Sequence, residues 1–213
     1  MTELSLARAE GEGYTHKPES LLRTRRRKGG WPGLTTLLDT LRNAPAGYTE
    51  WYEGASAWWR ATQKRRAALG EMCDVLKYGC YGLYPALLAW LAVEMVMGMG
   101  ASDFMETLLI PAVGFALVSA LRITVAEPRP YEACEIEQLI TKETQGKSFP
   151  SRHVFSISII GMCWLVQSVP VGILILAGGV LMAYARVMGG LHYPRDVVAG
   201  YALGVAFGLP LLL

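Results

Sequence analysis

"VGILILAGGVLMAYARV", residues 171–187, and "VVAGYALGVAFGLPLLL", residues 197–213, are two almost unbroken apolar runs separated by "MGGLHYPRD". The first run carries one charge, Arg186, near its end, and the second carries none. Runs of roughly 17 residues sit at the lower limit for a helix crossing a hydrocarbon core about 30 Å thick. A membrane helix satisfies its own backbone hydrogen bonds, so these two runs decide in favour of an all-α, polytopic transmembrane helical bundle. Reading towards the N-terminus, three further candidate spans appear, at about residues 153–169, 104–125 and 78–98. The total is about five to six spans. In the last one, Gly200, Gly204 and Gly208 make a doubled G-x-x-x-G on one face, the spacing that lets a second helix approach closely. A homo-oligomer through that face is one expectation.

The first third of the chain has another character. Residues 1–70 are polar and basic, with "RTRRRK" at 23–28 and "RATQKRR" at 60–66. They are read as a basic tail plus amphipathic helices, and 71–213 as the membrane-embedded unit. Basic residues near an anionic membrane surface are attracted by about 1 kcal/mol each. Within 49–70, Trp51, Tyr52, Trp58 and Trp59 accompany Arg60, Lys64, Arg65 and Arg66. Aromatic rings beside cations suit the headgroup zone, so this stretch predicts an N-terminal interfacial helical segment, with a helix packed on the bundle as the competing reading. The opening "MTELSLARAEGEG" has no apolar core and does not read as a cleavable signal. Cys73, Cys80, Cys134 and Cys163 have no C-x-x-C or metal-ligand spacing and read as small apolar packing residues.

Three charged segments interrupt the apolar runs. "LRITVAEPRPYE" brings Arg122 and Arg129, "KSFPSRH" brings Ser151, Arg152 and His153, and "ARVMGGLHYPRD" brings Arg186, His192 and Asp196. If the spans alternate in direction, all three lie at one end of the bundle. The opposite turns, "GMGASD" and "QSVPVG", carry only Asp103. Several permanent cations gathered together are unfavourable without an anion among them, and guanidinium forks match phosphate oxygens in bidentate fashion. Ser151 reads as the N-cap of the third span, which turns a helix N-terminus towards the same place.

The histidines supply the chemistry. His192 can attack a phosphorus atom through one ring nitrogen if Asp196, four residues on, orients the other. His153 can protonate the departing oxygen. No metal-ligand cluster is legible, so the arginines must carry the transition-state charge, and neither metal nor cofactor is expected. Taken one at a time, an arginine at a span end is a snorkelling anchor, a histidine at a helix start is a cap, and Asp196 complements a helix dipole. It is their assembly at one end that favours a site.

These segments resemble the type 2 phosphatidic acid phosphatase family, integral-membrane relatives of the vanadium haloperoxidases. That pattern is Lys, six residues, Arg-Pro; then P-S-G-H; then S-R, five residues, His, three residues, Asp. Here Arg122 precedes Arg129-Pro130 by six residues, "PSRH" spans 150–153, and Ala185-Arg186 leads to His192 and Asp196 at the same spacings. Arg122 stands for the pattern's Lys, Arg152 for its Gly and Ala185 for its Ser. The resemblance implies a metal-independent phosphatase acting on lipid phosphates or diphosphates through a phosphohistidine at His192. It also implies phosphate contacts from Arg122, Arg129, Ser151 and Arg186. Lys142, Lys147 and Arg152 add cations that would suit a highly charged headgroup such as a polyprenyl diphosphate. Phosphatidate and phosphatidylglycerophosphate are the other candidates.

The expected partners are the bilayer and a phosphorylated lipid, with no nucleic acid. The expected location is an integral membrane protein of a bacterial plasma membrane. A phosphotransferase using the same phosphohistidine, or a non-catalytic lipid-phosphate-binding protein, are the alternatives. Two spans precede the first motif, so the N-terminus and the site share one side. The basic N-terminal segment argues for the cytoplasm, whereas better-known members of the resembled family face outward. A crossing by residues 31–59 would reconcile the two.

Overall fold

The computed structural model describes residues 44–141 and 145–213. The basic run at 23–28, residues 31–43 and Lys142 lie outside the described residues. Among those described there is no strand. The helices are α1 (Tyr48–Arg60), α2 (Gln63–Val96), α3 (Ala101–Val125), α4 (Pro130–Ala133), α5 (Arg152–Gln167), α6 (Val169–Met188) and α7 (Pro194–Gly208), with a closing 3-10 turn, Leu209–Leu212. The chain is the expected all-helical membrane bundle. Four stretches are long and apolar enough to cross a bilayer: Gln63–Val96, Ala101–Ala133, Val169–Met188 and Pro194–Leu212.

The remaining expected span, α5, has 16 residues, a length of about 24 Å against a core of about 30 Å. It is the hub of the bundle, packed against α2, α3, α6 and α7. Val154, Phe155, Ile157, Ile159, Ile160, Met162 and Cys163 are all buried, so apolar residues surround the whole helix, as a core element requires. Because its neighbours shield its ends, α5 need not match the hydrocarbon thickness by itself.

The first span begins earlier than hydropathy suggests. Helix α2 starts at Gln63, where the Thr62 hydroxyl accepts a hydrogen bond from the Arg65 backbone N–H, and runs unbroken to Val96. Its buried positions, Leu69, Cys73, Cys80, Leu87 and Leu91, recur at heptad-like intervals. The cysteines there are buried packing residues, as read from the sequence, and all four are free thiols. The segment 49–70 is therefore two helices, α1 and the first two turns of α2. Helix α1 buries Tyr48, Tyr52 and Ser56 on one face and exposes Trp51 and Trp58 on the other, with the Arg65 guanidinium 4.2 Å from the Trp58 ring. It is at once interfacial in character and packed on the bundle.

The glycine face of α7 is taken by the chain itself. A Cβ on Gly200 would lie 2.5 Å from the Ser151 carbonyl oxygen, one on Gly204 2.7 Å from that of Phe155, and one on Gly208 2.3 Å from Met162 Cβ. Contacts that advance together along both helices mean that α5 and α7 run parallel, with α6 returning between them. All three glycines are buried, and the close approach that their spacing allows is made with α5 of the same chain.

Candidate active site

Chain reversals at Ser168 and at residues 97–100 send the helices back and forth, so the C-terminal ends of α3 and α6 meet the N-terminal ends of α5 and α7. Helix α1 and the start of α2 join them at this end. The Tyr52 hydroxyl donates to the carbonyl of Met188 (2.9 Å), and the Arg66 guanidinium pairs with Glu137 at 2.5 Å. The N-terminal helices and the charged cluster therefore share one end of the bundle. Tyr48 and Tyr193 meet edge to face with ring centroids 4.8 Å apart, so α1 braces the residue next to His192.

The loop between α6 and α7 turns at Gly190, whose φ of +74° lies in the left-handed region that glycine tolerates. Pro194 then opens α7 and the Asp196 side chain accepts from the Tyr193 backbone N–H at 3.0 Å, a capping contact that anchors the carboxylate. His192 is buried, with Nδ1 3.5 Å from Asp196 Oδ2 and 3.3 Å from Ser148 Oγ. Ser148 Oγ donates its one proton to Asp196 Oδ2 at 2.5 Å, so towards His192 it can only accept. The proton of the neutral ring then belongs on Nδ1, and Nε2 keeps its lone pair. Burial holds the His192 ring well below the usual histidine range, at about 4. Asp196 opposes that shift, and the charges of Arg129 and Arg186 reinforce it.

The segment before α5 is drawn onto this network. The Ser151 backbone N–H donates to the Asp196 carbonyl at 3.0 Å, and the Ser148 N–H to the Glu127 carbonyl at 2.9 Å. Arg122, buried at the end of α3, donates to the carbonyls of Ser148 (3.0 Å) and Pro150. Arg129 donates to the carbonyls of Gly146 (3.2 Å) and Leu191 (3.4 Å). Both arginines thus hold the backbone of the two histidine-bearing segments. Arg129 and Arg186 lie within electrostatic reach of His192, and Arg122 within reach of Arg129 and Arg152. Arg186 is buried too, and its Nε has no hydrogen-bond partner among the described residues; neither does the buried Ser151 Oγ. Ser151 is the N-cap of α5 by position, yet its hydroxyl caps nothing. Two donors are left ready for an anion.

Arg152 and His153 follow Ser151 directly and are less buried than that interior. They form the first turn of α5 and line a groove of about 280 Å³ together with Lys77, Tyr81, Phe115 and Ser156. Arg152 is exposed and His153 half-buried, and the Arg152 guanidinium lies 5.7 Å from the Phe115 ring centroid. Lys147 is exposed on the preceding loop.

Three residues of this cluster were not singled out in the sequence. Ser148 sits inside the quoted "KSFPSRH", but a loop serine has no periodicity to mark it. The buried Glu127 and the half-buried Arg195 form an ion pair across 68 positions of sequence, a partnership that no local pattern could display. Glu127 Oε2 and Asp196 Oδ1 make no hydrogen bond among the described residues, and Arg195 Nε lies 3.9 Å from Asp196 Oδ1.

With this geometry in view, the kinship is clear. A model of the PAP2 superfamily matches residues 103–213, more than half of the chain, and the chain belongs to that family. Among curated relatives, it is 27% identical over 95 residues to the undecaprenyl-diphosphatase BcrC of Bacillus subtilis (strain 168), covering 45% of this chain and 49% of that one. It is 31% identical over 93 residues to an undecaprenyl-diphosphatase of Sulfolobus acidocaldarius, covering 43% and 45%. The chain thus spans about half the length of the curated relatives it matches. The crystal structure of Aquifex aeolicus LpxE superposes with a TM-score of 0.60 at 20% identity, over 76% of this chain and 93% of that one, and so shares the fold.

Proposed function

We propose that this chain is a membrane lipid phosphatase that releases a terminal phosphoryl group from a lipid phosphate or diphosphate through a phosphohistidine on His192. The observation that carries this reading is a buried neutral imidazole, its Nε2 lone pair left open, within reach of the buried and unpartnered Arg186 Nε and beside the segment bearing Ser151 Oγ. Unsatisfied buried donors cost about 1–3 kcal/mol each, and a phosphoryl group would satisfy these.

His192 Nε2 attacks phosphorus, and the P–O bond breaks with its electron pair passing to the leaving oxygen, which takes a proton from His153. Water then attacks the phosphorus and gives a proton to His153, the P–N bond breaks with its electron pair returning to His192 Nε2, and inorganic phosphate leaves. Asp196 and Ser148 hold the ring and its tautomer. Arg122, Arg129, Ser151 and Arg186 bind the phosphate, the guanidinium groups countering the developing charge without a metal ion. The names of the curated relatives favour polyprenyl diphosphates over phosphatidate or phosphatidylglycerophosphate, and a bacterial plasma membrane suits such lipids.

The test is phosphate release from purified protein across those three lipids, with EDTA and with vanadate. Release that survives EDTA, is blocked by vanadate and falls by roughly 10³-fold or more in His192→Ala is expected. An EDTA-sensitive reaction, an active His192→Ala, or phosphoryl transfer only to an added alcohol would overturn the proposal.

A further inference from the structure

The cluster's cations divide into two sets. Arg122, Arg129 and Arg186 are buried, and the first two are bound to backbone carbonyls. Arg152 is exposed, its guanidinium 5.7 Å from the Phe115 ring centroid in the groove between α2, α3 and α5 that Lys77 also lines. Arg152 also lies within electrostatic reach of both Arg122 and Arg129, so it adds a further positive charge to a cluster already short of anions. This is the position where the family pattern has glycine.

The groove has two ends of opposite chemistry. Its polar part is lined by Arg152, His153 and Lys77, the last paired with Asp74 at 2.6 Å. Through Tyr81, Phe115 and Ser156, which line both parts, it continues into an apolar trough of about 440 Å³ walled by Leu108, Pro111 and Ile159. A ligand matching both ends has an anionic head and a hydrocarbon chain.

We infer that Arg152 is a specificity residue that reads the second phosphate of a lipid diphosphate whose chain lies in this trough. The inference rests on the phosphatase reading above. In that reaction the Nε2–P bond forms at the terminal phosphate, and the bridging P–O bond breaks. Its electron pair moves to the oxygen that stays with the lipid, and that oxygen takes the proton of His153. For a diphosphate the leaving group is the lipid monophosphate, which gains negative charge as the bond breaks. It departs on the His153 side, where the adjacent residue of the same helical turn is Arg152. A guanidinium there steadies the departing charge by paired hydrogen bonds. For a lipid monophosphate the leaving group is an alcohol, which His153 alone protonates, and Arg152 has no second phosphate to hold.

The experiment compares the full chain with Arg152→Gly and Arg152→Lys on one polyprenyl chain carried as diphosphate and as monophosphate, with the ratio of the two kcat/KM values as readout. Arg152→Gly should lower the diphosphate-to-monophosphate ratio by about tenfold or more, and Arg152→Lys should keep it within about threefold of wild type. An unchanged ratio in Arg152→Gly, or equal loss on both lipids, overturns the inference while leaving the phosphatase reading intact. A wild-type protein that releases phosphate from neither lipid overturns the phosphatase reading, and this inference falls with it.

Discussion

Helices α5 and α7 approach so closely that no side chain fits between them, whereas α2 faces outward over much of its length. A Cβ on Gly200 or Gly204 would collide with carbonyl oxygens of α5, yet one on Gly70, Gly79 or Gly82 of α2 would meet nothing within 4 Å. The reason lies in what each helix carries. Asp196 lies in the first turn of α7 and Ser151 stands just before the first turn of α5, and the bond between their backbones fixes the two segments relative to each other. Helix α2 supplies a wall of the groove beside α5 and an apolar exterior of Val75, Tyr78, Trp90 and Val93, where a bilayer tolerates looser fit. Rigidity is concentrated where atoms must be placed to within a fraction of an ångström.

The largest effect that would test this contrast is a packing one. Gly204→Val should destabilise the detergent-solubilised protein by the ~1–3 kcal/mol or more typical of overpacked cores, read as a lowered thermal midpoint. The same change at Gly82 should cost far less, and equal losses would erase the distinction between the helices. Next comes the network that the rigid pair supports. Ser148→Ala removes a hydrogen bond to a charged group, worth ~1.5–3 kcal/mol, so kcat should fall about 10- to 100-fold with KM little changed. A rise in KM alone would place Ser148 in substrate binding instead.

Protonation gives a third measure. His192 has a folded-state pKa pushed down to about 4 from an ordinary 6.5. The unfolded chain therefore binds the extra proton first. The stability that this group contributes is complete above 6.5 and drains away as pH falls towards about 4. In histidine-labelled protein the ¹⁵N resonances that vanish in His192→Gln should stay those of a neutral, Nδ1-protonated ring down to about pH 5. Titration near 6.5 would mean that the ring is hydrated and the loop is loosely held. The smallest expected effect is a gain: Gly82→Ala should add ~0.5–1 kcal/mol, because the helix interior there has room and glycine costs backbone entropy.

Much of the site was legible because charge is conspicuous against an apolar background. Span alternation alone assigned Arg122, Arg129, His153, Arg186 and His192 to one end, since each apolar run reverses the chain. What alternation could not supply was the roles within that end. Arg122 reads as a phosphate ligand in the sequence, and the folded chain adds a task that no spacing displays, since it donates to the carbonyls of Ser148 and Pro150. Arg152 reads as one more member of the cradle, yet it lines a separate groove with Lys77, 75 positions earlier. The glycine repeat of α7 announced a close helix contact without saying whose helix would make it.

Apolar length, the spacing of glycines and the interruption of hydrocarbon-like runs by histidine, arginine and aspartate are one-dimensional properties. They were enough to establish a helical membrane protein with polar chemistry gathered at one end, because a bilayer punishes any other arrangement of such a chain. Which proton sits on His192, which donors stay unpaired and which cation lines the groove depend on atoms brought within about 3 Å from distant parts of the chain. Hydrogen bonding at that range is decided by packing, and only the assembled helices could decide it.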